Sequence, residues 1–198
     1  GKAGPAVIPG LQFFFISDIL FLMIPARTER KFCVARAAKE ENVRMAGLKE
    51  HIFLIGFMGC GKSTIGKKLS YSVRKPYVDT DKLIETKEKK TISTIFSEQG
   101  EEAFREMETA CIKSLFAQKQ EHVIAVGGGL PLRSQNRELL KKLGTVIYLR
   151  AKPETIYERL KTDTTRPLLQ CADPKEKISR MILQRAPVYE EAAAYVVD

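Results

Sequence analysis

Gly56, Gly61, Lys62 and Ser63 stand in the stretch "LIGFMGCGKSTIGKKL", residues 54–69, at the spacing GxxxxGK[ST]. A loop of this kind is suited to holding a polyphosphate. Its glycines let successive backbone N–H groups turn inward on an anion, and the helix that follows adds the positive end of its dipole. Lys62 is expected to reach the β- and γ-phosphates of a nucleoside triphosphate, and the Ser63 hydroxyl to join a Mg²⁺ shell. Gly59, Cys60, Gly61, Lys62, Ser63 and Thr64 are thus the expected nucleotide contacts, with Lys62 also catalytic. Cys60 is a small spacer in this scheme, and nothing else in the sequence supports a redox role for it. A glycine-rich turn with an incidental lysine would show the same letters. The apolar run before the loop and the amphipathic run after it favour phosphate binding.

The acids come next. GTPase-like and ATPase-like P-loop proteins carry an aspartate at the end of an apolar strand near the metal, whereas "HVIAV" here ends in Gly127, Gly128 and Gly129. Asp79 and Asp81, in "YVDTDKLIE", are the acids left for the site. Two residues apart at a strand terminus and a helix start, one can face the metal and the other an acceptor substrate. That division suits phosphoryl transfer, in which positioning and charge stabilisation do most of the work. Asp81 can equally cap a helix beginning at Lys82, and the two roles are compatible.

These residues need a frame, and the pattern supplies one. "HIFLIGF" has strand length, and Ile65, Leu69 and Val73 then recur at helical spacing. "PYVD", "HVIAV", "GTVIYL" and "AAYVV" read as further strands. Residues 101–118 carry Phe104, Met107, Cys111 and Leu115 on one helical face, and "SQNRELLKKL" and "KPETIYERL" read as helices. In "ADPKEKISRMILQR", Asp173 can cap and Pro174 can take the first helical position. Strands alternating with helices predict an α/β fold: a three-layer sandwich with a five-stranded parallel sheet and ligands at the carboxyl ends of its strands.

Composition sets the bounds. The chain has 198 residues, 44% of them hydrophobic, and a net charge of +9. The charge favours anionic partners in general, but it is dispersed, and no nucleic-acid motif accompanies it. The 4 cysteines show neither CxxC nor Cys/His spacing, which argues against a zinc site or disulfide scaffold and for a reducing cytoplasm. His51 and His122 each open an apolar run and read as strand-edge residues. Within residues 1–44, "LQFFFISDILFLMI" is broken by Ser17 and Asp18. It falls short of the roughly 20 apolar residues of a membrane span. Residues 1–44 are expected to be an appendage, and the functional domain to occupy residues 45–198.

Taken together, "GFMGCGKSTIGKKL", "VDTDKLIE", "IFSEQGEEAFREME", "AVGGGL", "RPLL" and "QRAPVYEEAA" resemble the successive motifs of shikimate kinases, over about residues 50–198. The resemblance implies a nucleoside-monophosphate-kinase-like fold with a mobile lid. It also implies ATP-dependent phosphorylation of the shikimate 3-hydroxyl in aromatic amino-acid biosynthesis. By the same resemblance Asp81 bonds the acceptor hydroxyl and takes its proton, while Asp79 orients Mg²⁺ through water. Arg105 of "FRE" and Arg185 of "QRAP" match the pair that binds the substrate carboxylate, a task suited to a guanidinium fork. Gly127, Gly128 and Gly129 approach the ring, Arg166 of "RPLL" comes in with the lid onto the transferring phosphoryl, and Arg159 packs near adenine. ATP and shikimate are the expected partners, with no nucleic acid or membrane, and the working unit is expected to be a monomer. Two departures are mild: Val126 before the triple glycine, and a short lid segment, "KTDTTRPLLQCADPKEK".

Each arginine has an ordinary alternative. Arg105 can be salt-bridged to Glu102 and Glu106, Arg185 can meet the carboxyl end of its own helix, and Arg159 can be a surface residue. A gluconate or nucleoside kinase on the same fold would share Lys62 and the lid, but would lack the combination of the aspartate pair, "AFRE" and "GGG". A regulatory or nucleic-acid-binding P-loop protein is the non-enzymatic alternative. The family comparison also predicts a helix beyond "AAYVV".

Overall fold

The computed structural model describes residues 6–8, 50–117, 120–161 and 173–198. Strands and helices alternate through them: β1 (Ala6–Ile8), β2 (His51–Ile55), α1 (Lys62–Val73), β3 (Tyr77–Asp79), α2 (Thr80–Glu88), α3 (Ile92–Phe116), β4 (Val123–Ala125), α4 (Ser134–Leu143), β5 (Gly144–Leu149), α5 (Pro153–Leu160), α6 (Pro174–Ala192) and β6 (Tyr195–Val197). The sheet is parallel throughout, in the order β1-β6-β5-β2-β4-β3. The five expected strands are all present. β1, from the stretch expected to be an appendage, adds a sixth at the edge, with Val7 opposite Val196.

The layers follow from the two-residue period of a strand. Along β2, Ile52 and Leu54 join a core with Leu69, Val73, Ile156, Leu160 and Ile178. Phe53 and Ile55 point the other way, to Ile112, Leu115, Leu140, Leu143 and Tyr189. A strand apolar on both faces can sit only at the centre of a sheet covered on both sides, which is the three-layer arrangement. β2 lies between β5 and β4, so the chain leaving it enters the crevice at the carboxyl end of the sheet.

Helix limits were partly legible. Asp173 caps α6 by accepting from the Glu176 N–H at 2.9 Å, with Pro174 in the first turn. α2, however, starts at Thr80, and its cap is Asp79 rather than Asp81: Asp79 Oδ1 accepts from the N–H groups of Asp81 and Lys82. The helix expected over 101–118 is present from Glu101 to Phe116. Gly100, whose φ of 81° is not helical, separates it from a preceding helical stretch that begins at Ile92, and the two are counted together as α3. His51 and His122 stack with ring centres 5.7 Å apart. His51 Nδ1 accepts the His122 backbone N–H, and burial lowers both imidazoles below their ordinary range. They belong to the foot of the sheet, away from the loop that follows β2.

Candidate active site

The loop between β2 and α1 is shaped by its glycines. Gly59 and Gly61 have φ of 75° and 105°, values that side-chain-bearing residues rarely adopt. At Gly56 a β-carbon would lie 2.5 Å from the Leu149 carbonyl oxygen, so strand β5 leaves no room for one. Cys60 is buried against Gly56, in keeping with a spacer. α1 opens directly at Lys62, Ser63 and Thr64, which puts the expected phosphate-binding residues on its first turn. The Lys62 ammonium donates to the carbonyls of Gly56 at 2.9 Å and Phe57 at 3.0 Å, and so arches over the loop. Arg159, in the last turn of α5, donates to the Gly59 carbonyl at 2.9 Å. It therefore reaches the loop while remaining an exposed surface residue, the alternative the sequence also allowed.

β3 delivers the acids. Asp79 Oδ2 accepts from Ser63 Oγ at 3.0 Å and from Tyr77 Oη at 3.1 Å, while Oδ1 caps α2. The Tyr77 ring lies against α1 where a β-carbon on Gly66 would be 2.5 Å from it. Burial is the main cause pushing the Tyr77 phenol up to about 12. Thr80, fully buried between the two aspartates, accepts the Gly127 N–H at 3.0 Å and so ties β3 to the glycine turn after β4.

That turn is where the site comes together. A β-carbon on Gly127 would lie 2.6 Å from Asp81 Oδ1 and 2.5 Å from Glu108 Oε1. One on Gly129 would lie 2.1 Å from Arg105 Nη1, and one on Gly128 would be 3.3 Å from the Gly56 carbonyl oxygen. The three glycines are therefore spaces into which Asp81, Arg105 and the first turn of the phosphate loop fit. Arg105 pairs with Glu108 and Glu101, each at 2.7 Å, and its side chain is only 12% exposed. The expected alternative partners, Glu102 and Glu106, instead hold Arg133. Glu101 and Glu108 lie four residues before and three after Arg105, on its face of α3, and Glu106 is its immediate neighbour. Glu102, also three residues away, is taken up by Arg133. Arg185 lies within α6 rather than at its carboxyl end, and its guanidinium sits 5.7 Å from the centre of the Phe57 ring. Arg166 and residues 162–172 of the lid segment lie outside the described residues.

A family model described as shikimate kinase matches residues 58–198. The chain belongs to the shikimate kinase family. Membership makes it a kinase with a nucleotide substrate. The shikimate kinase of Nitrosospira multiformis is 42% identical over 148 residues, 75% of this chain and 75% of that protein. The shikimate kinase of Thermodesulfovibrio yellowstonii is 46% identical over 143 residues, 72% of this chain and 82% of its own. Among solved structures, shikimate kinase from Acinetobacter baumannii in complex with shikimate superposes with a TM-score of 0.74 at 37% identity, covering 79% of this chain and 87% of that one.

Some residues that build the site of this shikimate kinase family member were not singled out from sequence. Glu108 is fully buried, with Oε2 bonded to Arg105 and Oε1 without a hydrogen-bond partner among the described residues. Burial pushes its carboxyl up to about 7, Arg105 pulls it down and Asp81 pushes it further up. Asn136 is also buried: it donates to the Leu130 carbonyl at 3.0 Å and accepts from Thr109 at 2.9 Å, bracing the glycine turn against α3. The available signal was a glutamate three residues after Arg105 on an otherwise apolar helix face. Among the described residues no helix is long and apolar enough to cross a membrane.

Proposed function

We propose that this chain transfers the γ-phosphoryl group of ATP to the 3-hydroxyl of shikimate, giving shikimate 3-phosphate and ADP on the route to chorismate and the aromatic amino acids. One observation carries this above all. The phosphate loop, Asp81 and Arg105 converge on the turn Gly127–Gly129, within a chain of the shikimate kinase family. A nucleotide-binding loop, a carboxylate and a guanidinium in one crevice are what a hydroxylated carboxylic acid needs in order to be phosphorylated.

Each residue has a share. Lys62 moves from the loop carbonyls to the β- and γ-phosphates, Thr64 and the loop backbone hold the remaining phosphate oxygens, and Arg159 lies over the nucleotide side of the loop. Arg105 and Arg185 fix the shikimate carboxylate, which aims the 3-hydroxyl at Asp81. Asp81 accepts the hydroxyl proton as the new oxygen–phosphorus bond forms and the bond from the γ-phosphorus to the bridging oxygen of ADP breaks. Arg166 matches the family residue that neutralises charge on the transferring group. Ser63 and Asp79, 3.0 Å apart, form a hard-oxygen pair that suits Mg²⁺. Among the described residues no group of three or more His, Cys, Asp or Glu gathers to cage a metal. When bound, Mg²⁺ neutralises charge on the β- and γ-oxygens. The enzyme works as a monomer in the cytoplasm.

A coupled assay of ADP release tests this. ADP should appear with ATP and Mg²⁺ only when shikimate is added, and not with gluconate or nucleosides. ADP release that is indifferent to shikimate would overturn the proposal. Gel filtration at assay concentration checks the monomer.

A further inference from the structure

Thr80 opens α2 between the two aspartates, is fully buried, and has no role in the chemistry proposed so far. Its place follows from where β3 stops. The ladder between β3 and β4 ends with Asp79 opposite Ala125, and from Thr80 onward the chain is helical. Beyond the end of β4, the Val126 N–H still donates to the Leu54 carbonyl of β2, at 3.1 Å. The next N–H, that of Gly127, faces the β3 side, where the strand has already turned into α2. The Thr80 hydroxyl accepts it at 3.0 Å, so a side chain continues the ladder after the backbone has left it. The Gly127 carbonyl accepts the Leu130 N–H at 3.1 Å. Gly127 is buried, and a buried N–H without an acceptor is costly, so the turn as built depends on this hydroxyl. The residue after Thr80 is Asp81. Its backbone N–H is held by Asp79 Oδ1 at 3.2 Å, and its own Oδ1 enters the space above Gly127, 2.6 Å from where a β-carbon would stand. The side chain that pins the turn and the carboxylate that fills it therefore come from adjacent residues.

We propose that Thr80 is a positioning residue, whose hydroxyl sets the Asp81 carboxylate against the Gly127 turn and so aims the proton acceptor at the substrate hydroxyl. The aim at substrate rests on the shikimate kinase activity proposed above. The placing of Asp81 is a property of the chain without ligands. A threonine suits the task because two heavy atoms on its β-carbon restrict χ1, which holds the hydroxyl where the N–H arrives. Serine keeps the acceptor on a freer rotor, and valine keeps the shape but has no acceptor. The catalytic stake is large, since moving a reacting group by about 1 Å can cost on the order of 100-fold in rate.

Thr80→Val should lower kcat roughly 10- to 100-fold, with the KM for ATP moving under about 2-fold. Thr80→Ser, which keeps the acceptor, should restore kcat to within about 3-fold of the unsubstituted enzyme. In an Asp81→Asn background, Thr80→Val should lower kcat little further, because the proton acceptor it places is already gone. Additive effects in the double variant would overturn the proposal, as would a serine variant as slow as the valine one. So would a fall in thermal midpoint with kcat unchanged, which is what a purely structural threonine gives. Should Thr80→Val not fold, Thr80→Ala, whose smaller side chain lets water take the N–H, is read by the same measures. A second readout needs no substrate. In crystal structures of the variants, Asp81 Oδ1 should stand off from Gly127 in Thr80→Val and keep its place in Thr80→Ser. An unmoved carboxylate in the valine variant would overturn the placing even if shikimate proved not to be the acceptor. An unsubstituted enzyme that does not turn over shikimate, in a chain that shows this displacement, would sink only the proposed function.

Discussion

The guanidinium of Arg105 occupies the space a side chain on Gly129 would need: a β-carbon there would come within 2.1 Å of Nη1 and 2.4 Å of Cζ. Glu108 and Glu101 hold that guanidinium from α3, so yielding to an added methyl would mean breaking its ion pairs. The glycine and the arginine are thus a matched pair, although 24 positions separate them in the numbering from 105 to 129.

Gly129→Ala should therefore displace Arg105 rather than the backbone. Overpacking of this kind costs about 1–3 kcal/mol. Expressed in acceptor binding, that is a rise in the KM for shikimate of roughly tenfold or more, with the KM for ATP nearly unchanged. Initial rates at varied shikimate decide it. A KM within twofold of the unsubstituted enzyme would mean that Arg105 does not read the carboxylate.

Asp81→Asn should lower turnover by about 10²–10⁴-fold, the usual contribution of a general base, while leaving ATP affinity largely intact. Because Asp79 is the residue that caps α2, the substitution at 81 should spare the helix terminus. Asp79→Ala should instead lower the thermal midpoint, a lost cap costing about 1 kcal/mol. If the two variants exchanged these effects, the division of labour between the aspartates would be reversed.

Lys62→Met should abolish phosphoryl transfer without unfolding the chain, since the ammonium donates only within its own loop, to the carbonyls of Gly56 and Phe57 and to the Cys60 sulfur. Circular dichroism and shikimate binding by calorimetry should match the unsubstituted protein. Near-normal turnover would contradict the assignment of the loop.

Glu108 gives a pH dependence with a definite sign. Burial lifts its carboxyl from the ordinary 4.5 to about 7, against the pull of Arg105 and with a further push from Asp81. The folded chain thus keeps a proton that the unfolded chain releases between those values. The stabilisation from this group is complete below pH 4.5 and is lost as pH rises through about 7. Glu108→Gln cannot titrate, so its thermal midpoint should vary less across that window than that of the unsubstituted protein. Parallel curves would show that Glu108 does not hold the proton.

Much of the frame was open to reading from sequence because it depends on local rules. α4 and β5 begin and end where "SQNRELLKKL" and "GTVIYL" do, and Asp173 with Pro174 marks the start of α6. The cap of α2 was less clear, since "DTD" offers two aspartates at competing positions and only the geometry at the end of β3 selects the first. Thr80, Glu108 and Asn136 were hidden for a different reason. Thr80 and Asn136 act through partners 47 and 27 positions away, which leave no local signature. Glu108 acts through burial, of which its place on an otherwise apolar helix face was the one sign. The roles of the three glycines were half visible. Their motif was plain, but the side chains that fill the space above them arrive from α2, α3 and α6.

The pairing of β1 with β6 bears on the order in which the chain assembles. Ala6 meets Tyr195 and Ile8 meets Val197, so this edge joins stretches from far apart in the sequence. The entropy of closing a loop grows with the logarithm of its span, and non-local pairings slow folding accordingly. β2 can register against β4 and β5, and β5 against β6, before the outermost strand has anywhere to dock. Its amides should be the first in the sheet to exchange with deuterated solvent. The refolding rate measured at the β2 amides should stay the same when the leading strand is cut away, because the catalytic crevice is complete before that strand arrives.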